Sequence, residues 1–185
     1  WDNPFRDVAP GAWYEEAVQH VYEAGLMQGT SASAFSPGRT TTRGQIVTIL
    51  HRLEGSPRAG RPPFTDVAAG SYCAEAVAWA EQNAIVRGFG DGTFRPDRPI
   101  TRQQLAAILL RYMEHRGEGT AGRADLSRFS DSAAVADYAR EAMAWAVSAG
   151  LLQGRANGTL DPAGSATRAQ TAVILHRLDA LLEGA

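Results

Sequence analysis

The chain contains no lysine. All 18 of its basic residues are arginine, and with 20 acidic residues the formal charge is only −2. This near balance, without a basic cluster, excludes the electrostatic footprint that nucleic-acid binding requires. Two origins stay open for the arginine-only usage: a GC-rich genome, or a preference for planar cations that grip anions bidentately. Cysteine is almost absent. Cys73 alone cannot build a disulfide framework, and sparse cysteine is compatible with export. No apolar run approaches the ~20 residues that cross a bilayer, so membrane insertion is not expected. The sequence opens at Trp1 with neither Met nor a signal region, and so reads as a processed or excised part of a longer protein. What is present, 44% hydrophobic residues over 185 positions, suffices for one compact core.

Self-similarity organises the chain. Phe5 to Arg52 maps onto Phe64 to Arg111 without a gap at an offset of 59, and Tyr138 to Arg177 maps onto Tyr72 to Arg111 at an offset of 66. Each copy opens with Phe-x-Asp: Phe5 and Asp7, Phe64 and Asp66, Phe129 and Asp131. An Ala-rich stretch then leads to a small residue (Gly25, Ala84, Gly150) and a second glycine (Gly29, Gly88, Gly154). A loop follows, ending in an apolar residue, any residue and proline: Phe35 and Pro37, Phe94 and Pro96, Leu160 and Pro162. Thr-Arg-x-Gln closes the series at Thr42–Gln45, Thr101–Gln104 and Thr167–Gln170. Stretches rich in glycine and proline around residues 55–63 and 116–123 read as linkers, so the predicted boundaries are 1–57, 58–118 and 119–185.

Each copy reads as two helices joined by a loop. Trp13, Ala17, Val21 and Ala24 recur at helical spacing, and Ile46, Ile49, Leu50 and Leu53 follow the i, i+3, i+4, i+7 pattern that Leu105, Ile108, Leu109 and Tyr112 repeat. One pair cannot bury its stripe alone. The expected fold is therefore all-α, three helix-loop-helix repeats in a bundle of three lobes with pseudo-threefold symmetry and grooves between repeats, formed by a monomer; an open solenoid is the alternative.

Thr followed three residues later by Gln is the spacing of a capping box. Capping leaves Arg43, Arg102 and Arg168 unexplained, because each falls at a first helical position where the dipole opposes a cation. Two readings remain open. Asp7, Asp66 and Asp131 could pair with the arginines, or free helix N-terminal amides beside each guanidinium could take a bound carboxylate or phosphate.

Residues 88–102, Gly-Phe-Gly-Asp-Gly-Thr-Phe-Arg-Pro-Asp-Arg-Pro-Ile-Thr-Arg, resemble the signature segment of an S-layer homology repeat, and copies one and three resemble it more loosely. The resemblance covers nearly the whole chain. It implies a module that binds anionic secondary polysaccharides of the bacterial cell wall, often through pyruvate ketals, and fastens exported proteins to the outside of the cell. It places the anion-binding role on Arg43, Arg102 and Arg168. The family's Thr-Arg-Ala-Glu is Thr-Arg-x-Gln in every copy, a change that keeps the capping box and removes a negative charge. Copies one and three lack the Gly-Asp-Gly-Thr loop, so the groove involving copy two is the best preserved.

Candidate ligand-binding residues are thus Arg43, Arg102, Arg168, Gln45, Gln104, Gln170, Asp7, Asp66 and Asp131. Trp79 and Trp145 join them as rings on which a sugar could stack; Trp13, Tyr72 and Tyr138 form a second equivalent aromatic position near the start of the first helix, and core packing is expected for at least half of these rings. Gly29, Gly88 and Gly154 are included as positions that permit positive φ and close approach to the backbone. His51 and His176 read as tolerated helix surface and Cys73 as a small packed residue, so no catalytic residue, metal or cofactor is expected and the chain does not read as an enzyme. The alternative function is a helical scaffold for a protein partner or for peptidoglycan itself.

Overall fold

The computed structural model describes residues 1–184, in which six α-helices follow one another: α1 (Glu15–Glu23), α2 (Arg43–Leu53), α3 (Ala74–Gln82), α4 (Arg102–His115), α5 (Arg140–Ser148) and α6 (Arg168–Glu183). Short 3₁₀ turns precede α5, and among the described residues β-pairing is confined to isolated bridges. No described helix is long and apolar enough to cross a membrane.

The second helix of each copy starts where the sequence says it must. The Thr42 hydroxyl accepts from the Gln45 amide at 3.3 Å while the Gln45 side chain accepts from the Thr42 amide at 3.0 Å, and Thr101/Gln104 and Thr167/Gln170 repeat the exchange. Each box is worth about 1 kcal/mol of helix stability. The first helices stop at residues in the left-handed region, Gly25, Ala84 and Gly150.

The three copies close on themselves. The Thr41 amide donates to Ala166 O at 3.0 Å, the Ala166 amide to Ile100 O at 3.1 Å, and the Ile100 amide to Thr41 O at 2.9 Å. These are equivalent residues, one before each helix cap, and all three are buried. Such a cycle needs the third copy beside the first, which an open solenoid does not provide.

Packing pairs the helices across the copies. α2 packs on α3, α4 on α5, and α6 on α1, so every helical pair joins successive repeats. The apolar stripes read from sequence are real, with Ile46, Leu50, Leu105 and Leu109 fully buried, but their partners lie one copy further along. The long connection between the two helices of a repeat carries the second helix onto its neighbour. The three seams are built from different side chains at equivalent positions. His51 meets Trp79 at 5.4 Å between ring centres in the first, whereas in the seam that closes the ring His20 stacks on His176 at 4.5 Å and meets Asp179 at 2.8 Å. His51 is therefore buried rather than on the surface, and it also bonds Pro57 O at 2.7 Å. That bond and the buried Ala59 tie the first linker down.

Candidate functional site

The motif that names each repeat is a clamp on a loop. Asp7 accepts from the amides of Phe35 and Ser36 (2.8 Å each), Asp66 from Phe94 and Arg95 (2.8 and 2.7 Å), and Asp131 from Leu160 and Asp161 (2.7 and 2.8 Å). The second residue of each pair sits at positive φ: Ser36 at 58°, Arg95 at 61° and Asp161 at 50°. A side chain disfavours that conformation by about 1 kcal/mol or more, which two charge-assisted hydrogen bonds offset. Burial opposes ionisation of Asp131, yet the Leu160 and Asp161 amides and the charge of Arg102 hold its carboxyl below the usual range.

The arginines grip the same loops from the far side, across the repeat boundary. Arg102 donates through Nε to Leu160 O (2.8 Å) and through Nη2 to Gln153 O (2.7 Å), and Arg168 does the same to Phe35 O (2.7 Å) and Gln28 O (2.6 Å). Arg43 donates through Nε alone, to Phe94 O at 2.9 Å, and its guanidinium lies over the rings of Phe89 and Phe94 at 4.7 and 4.6 Å. All three are buried. Burial and the nearby charge of Arg95 push Arg43 down to about 10, and burial with a neighbouring arginine lowers Arg102 and Arg168. Each is a cation short of counter-charge.

Two sequence expectations fail here. Asp7, Asp66 and Asp131 form no ion pair with the arginines and line no groove, because both oxygens of each are taken by loop amides. Nor are the helix N-terminal amides free. Arg43 and Gly44 donate to Arg98 O and Pro96 O at 2.9 Å, Arg102 and Gln103 to Gly164 O and Pro162 O at 2.8 and 2.9 Å, and Arg168 and Ala169 to Arg39 O and Pro37 O at 2.8 and 3.0 Å. The helix end docks on the next repeat's loop, and the cation at N1 is offset by that docking.

Three grooves lie beside these clamps, numbered here by the repeat whose loop forms the floor. Groove 2 runs along Val86–Phe89 and takes Arg43 from repeat one, Gln104 and Arg111 from repeat two, and Tyr138 from repeat three. Groove 3 runs along Leu151–Ala156 with Arg102, Gln170, Arg177 and Trp13. Groove 1 runs along Leu26–Gly29 with Arg168, Gln45, Arg52 and Tyr72. Their volumes are about 270, 600 and 220 Å³, and no acidic side chain is among the described residues that line them. Every groove thus draws on all three copies, and each Thr-Arg-x-Gln motif is divided, its Arg facing one groove and its Gln the next.

The aromatic expectation also needs correcting. Trp79 and Trp145 are 4% and 2% exposed, packed in the core with no ring face to offer, whereas Trp13, Tyr72 and Tyr138 are 67%, 60% and 55% exposed at the groove walls. Trp13 fits the apolar spacing of α1, but its position just before the helix turns it outward, so of the two equivalent aromatic registers the one at Trp13, Tyr72 and Tyr138 is the exposed one. Arg52, Arg111 and Arg177 were missed altogether. Their signal was recurrence, since each ends its copy at the same register.

Gly29, Gly88 and Gly154 do line the grooves, but none lies in the left-handed region. They are glycine because the Phe of Phe-x-Asp occupies the space a side chain would need: a Cβ on Gly29 or Gly88 would come within 2.6 or 2.5 Å of Phe5 or Phe64, and one on Gly154 would collide with Phe129. Gly88→Ala is therefore expected to lower the unfolding free energy by about 1–3 kcal/mol. Urea denaturation measures it, and an unchanged midpoint would refute the packing role.

The family profile described as S-layer homology domain matches residues 4–47, 63–106 and 128–172, which contain each clamp Asp and Arg. The chain is 33% identical to the surface-layer 125 kDa protein of Lysinibacillus sphaericus over 95% of its own length and 14% of that protein's. It is 30% identical to an endoglucanase of Bacillus sp. (strain KSM-635) over 95% of this chain and 18% of the relative. The figures for a cellulosome-anchoring protein of Acetivibrio thermocellus are 25% identity over 83% of this chain and 35% of the relative. The chain thus spans a minor part of the curated relatives it matches.

Proposed function

Because this chain belongs to the S-layer homology domain family, whose members anchor proteins to the bacterial cell wall, we propose that its three grooves bind an anionic secondary wall polysaccharide through sugars carrying a pyruvate ketal. The observation that carries this reading is the convergence, in every groove, of at least two arginines, at least one glutamine and an exposed aromatic ring, with no acid among the lining residues. A ketal carboxylate meets the guanidinium groups, and the apolar face of the sugar stacks on Tyr138, Trp13 or Tyr72.

On this reading Arg43, Arg102 and Arg168 face the ligand with Gln104, Gln170 and Gln45, joined by Arg111, Arg177 and Arg52. Asp7, Asp66 and Asp131 position the loops, and Trp79 and Trp145 hold the core. One chain supplies all the parts, so no partner subunit is needed and repeats 1–57, 58–118 and 119–185 act as one binding module, not a catalytic one. Three weak sites on one polymer add avidity.

Co-sedimentation with wall sacculi tests the proposal, using wild type beside the triple variant Arg52→Gln, Arg111→Gln, Arg177→Gln. Among the described residues Arg111 donates no hydrogen bond and Arg52 and Arg177 donate one each, to Leu26 O and Gly150 O, so the melting temperature is expected to fall by only several degrees while binding weakens by about tenfold or more, one charge-assisted contact per groove. Wild-type binding should vanish when the secondary polymer is chemically removed. Undiminished binding to stripped sacculi would instead identify peptidoglycan as the target, and no binding to any sacculi would leave a protein partner.

A further inference from the structure

The three grooves are alike in plan and unlike in charge. In grooves 1 and 3 each of these arginines has one terminal guanidinium nitrogen engaged by the protein: Arg168 and Arg102 donate Nη2 to Gln28 O and Gln153 O, while Arg52 and Arg177 donate Nη1 to Leu26 O (2.9 Å) and Gly150 O (3.2 Å). Groove 3 has a third arginine, Arg155, whose charge is neutralised by Asp161 through Nη2, although its buried Nε has no partner. Groove 2 differs at each point. Among the described residues, Arg43 uses only Nε, and neither Arg111 nor Arg87 donates a hydrogen bond to the protein. Arg87 occupies the register that Gln28 and Gln153 hold in the other loops, so a cation replaces an amide.

Groove 2 also holds Arg43 in place without neutralising it. Arg43 is fixed by one hydrogen bond and two ring faces, and Phe89 is covered on its other contact by Arg95, 3.9 Å from the ring centre and itself paired with Asp91 at 3.0 Å. The nearby acids, Asp66 and Glu114, lie outside the lining, and Asp66 is engaged by two loop amides. Three guanidinium groups with uncommitted donors therefore face one small space that a single carboxylate, with two oxygens and one charge, cannot satisfy.

We propose that groove 2 selects a sugar bearing a phosphomonoester, a doubly charged group with three acceptor oxygens, whereas grooves 1 and 3 take a singly charged carboxylate sugar. This deepens the polysaccharide-binding reading and rests on it. The phosphate would be carried at the end of a wall polymer or on a free sugar phosphate, and the chemistry recognised is the same.

The test is calorimetric titration of the full chain with N-acetylglucosamine 6-phosphate, with N-acetylglucosamine carrying a 4,6-pyruvate ketal, and with inorganic phosphate, for wild type and Arg87→Gln. The expected result is one phosphosugar site per chain, about tenfold tighter than the ketal sugar at any site, with inorganic phosphate weaker than the phosphosugar. In Arg87→Gln that preference should fall to about twofold. Three equal phosphosugar sites, a preference that survives Arg87→Gln, or a phosphosugar no tighter than the ketal sugar would each overturn the inference. The outcome is independent of the wall-anchoring test, since wild type that sediments with sacculi but ignores the phosphosugar sinks only the selectivity, and wild type that never sediments sinks the anchoring reading. Phosphatase-treated sacculi separate the sources: weaker wild-type sedimentation after treatment assigns the phosphate to the polymer, and no change assigns it to a free sugar phosphate.

Discussion

Arg102→Ala is expected to lower the unfolding free energy by about 3 kcal/mol. The side chain is buried and donates to two loop carbonyls, Leu160 O and Gln153 O. Its removal strands both acceptors, at about 1–3 kcal/mol each where water cannot reach them, and leaves a void beside the fully buried Leu160. Arg102→Lys should recover little, because an ammonium cannot span two carbonyls as a planar fork does. Arg43→Ala, which loses one carbonyl contact, should cost clearly less, so urea midpoints should rank Arg102→Ala and Arg168→Ala below Arg43→Ala. Equal costs for the three would contradict the clamp. These arginines build the loops that floor the grooves, so lost wall binding after their substitution reports folding as well as ligand contact. Arg52, Arg111 and Arg177 are the cleaner probes.

Removing the third repeat, residues 119–185, is expected to abolish cooperative folding rather than leave two-thirds of a stable protein. The deletion takes α6 from α1 and α5 from α4, and takes the carbonyl of Ala166 from the Thr41 amide. From α6 alone it removes Ile174, Leu175 and Leu178, each buried and worth roughly 1.5–3 kcal/mol. That sum approaches the whole ~5–15 kcal/mol by which a domain is stable, before the strand of exposed core on α1 and α4 is counted. Cutting the exposed connection between Arg116 and Arg123 should act differently, since no helical pair is severed; the two fragments should remain associated on gel filtration. A deletion fragment with a sigmoidal thermal transition near that of the full chain would show that the repeats fold independently.

Much of this was written locally in the sequence. Capping boxes, loop-ending prolines and the Phe-x-Asp motif act within a few residues or one copy, and the repeat made each visible three times. What the sequence could not display is partner choice. An apolar stripe such as Ile46–Leu50 carries the same pattern whether it meets its own repeat's first helix or the next one's, so the pairing of α2 with α3 had no local signature. The clamp arginines stand out in the sequence by their awkward place at a helix start, but the relief comes from carbonyls 51 to 140 residues away, and not from the aspartates of Phe-x-Asp. Trp79 and Trp145 drew attention by size, yet size favours the core, and the exposed rings were those at the less conspicuous register of Trp13, Tyr72 and Tyr138. Arg52, Arg111 and Arg177 fall just beyond the segments that match the family profile, so resemblance alone could not point to them.

The cycle of amides from Thr41 to Ala166 to Ile100 and back to Thr41 also limits how such a protein can be inherited. Tandem duplication lengthens a stacked array one unit at a time, because an array has an end to which the new unit can be added. Here the last copy already occupies the first, and a fourth copy would find no vacant edge. Genes encoding this architecture are therefore expected to gain copies in sets of three, and a single repeat can drift only within what all three grooves tolerate at once.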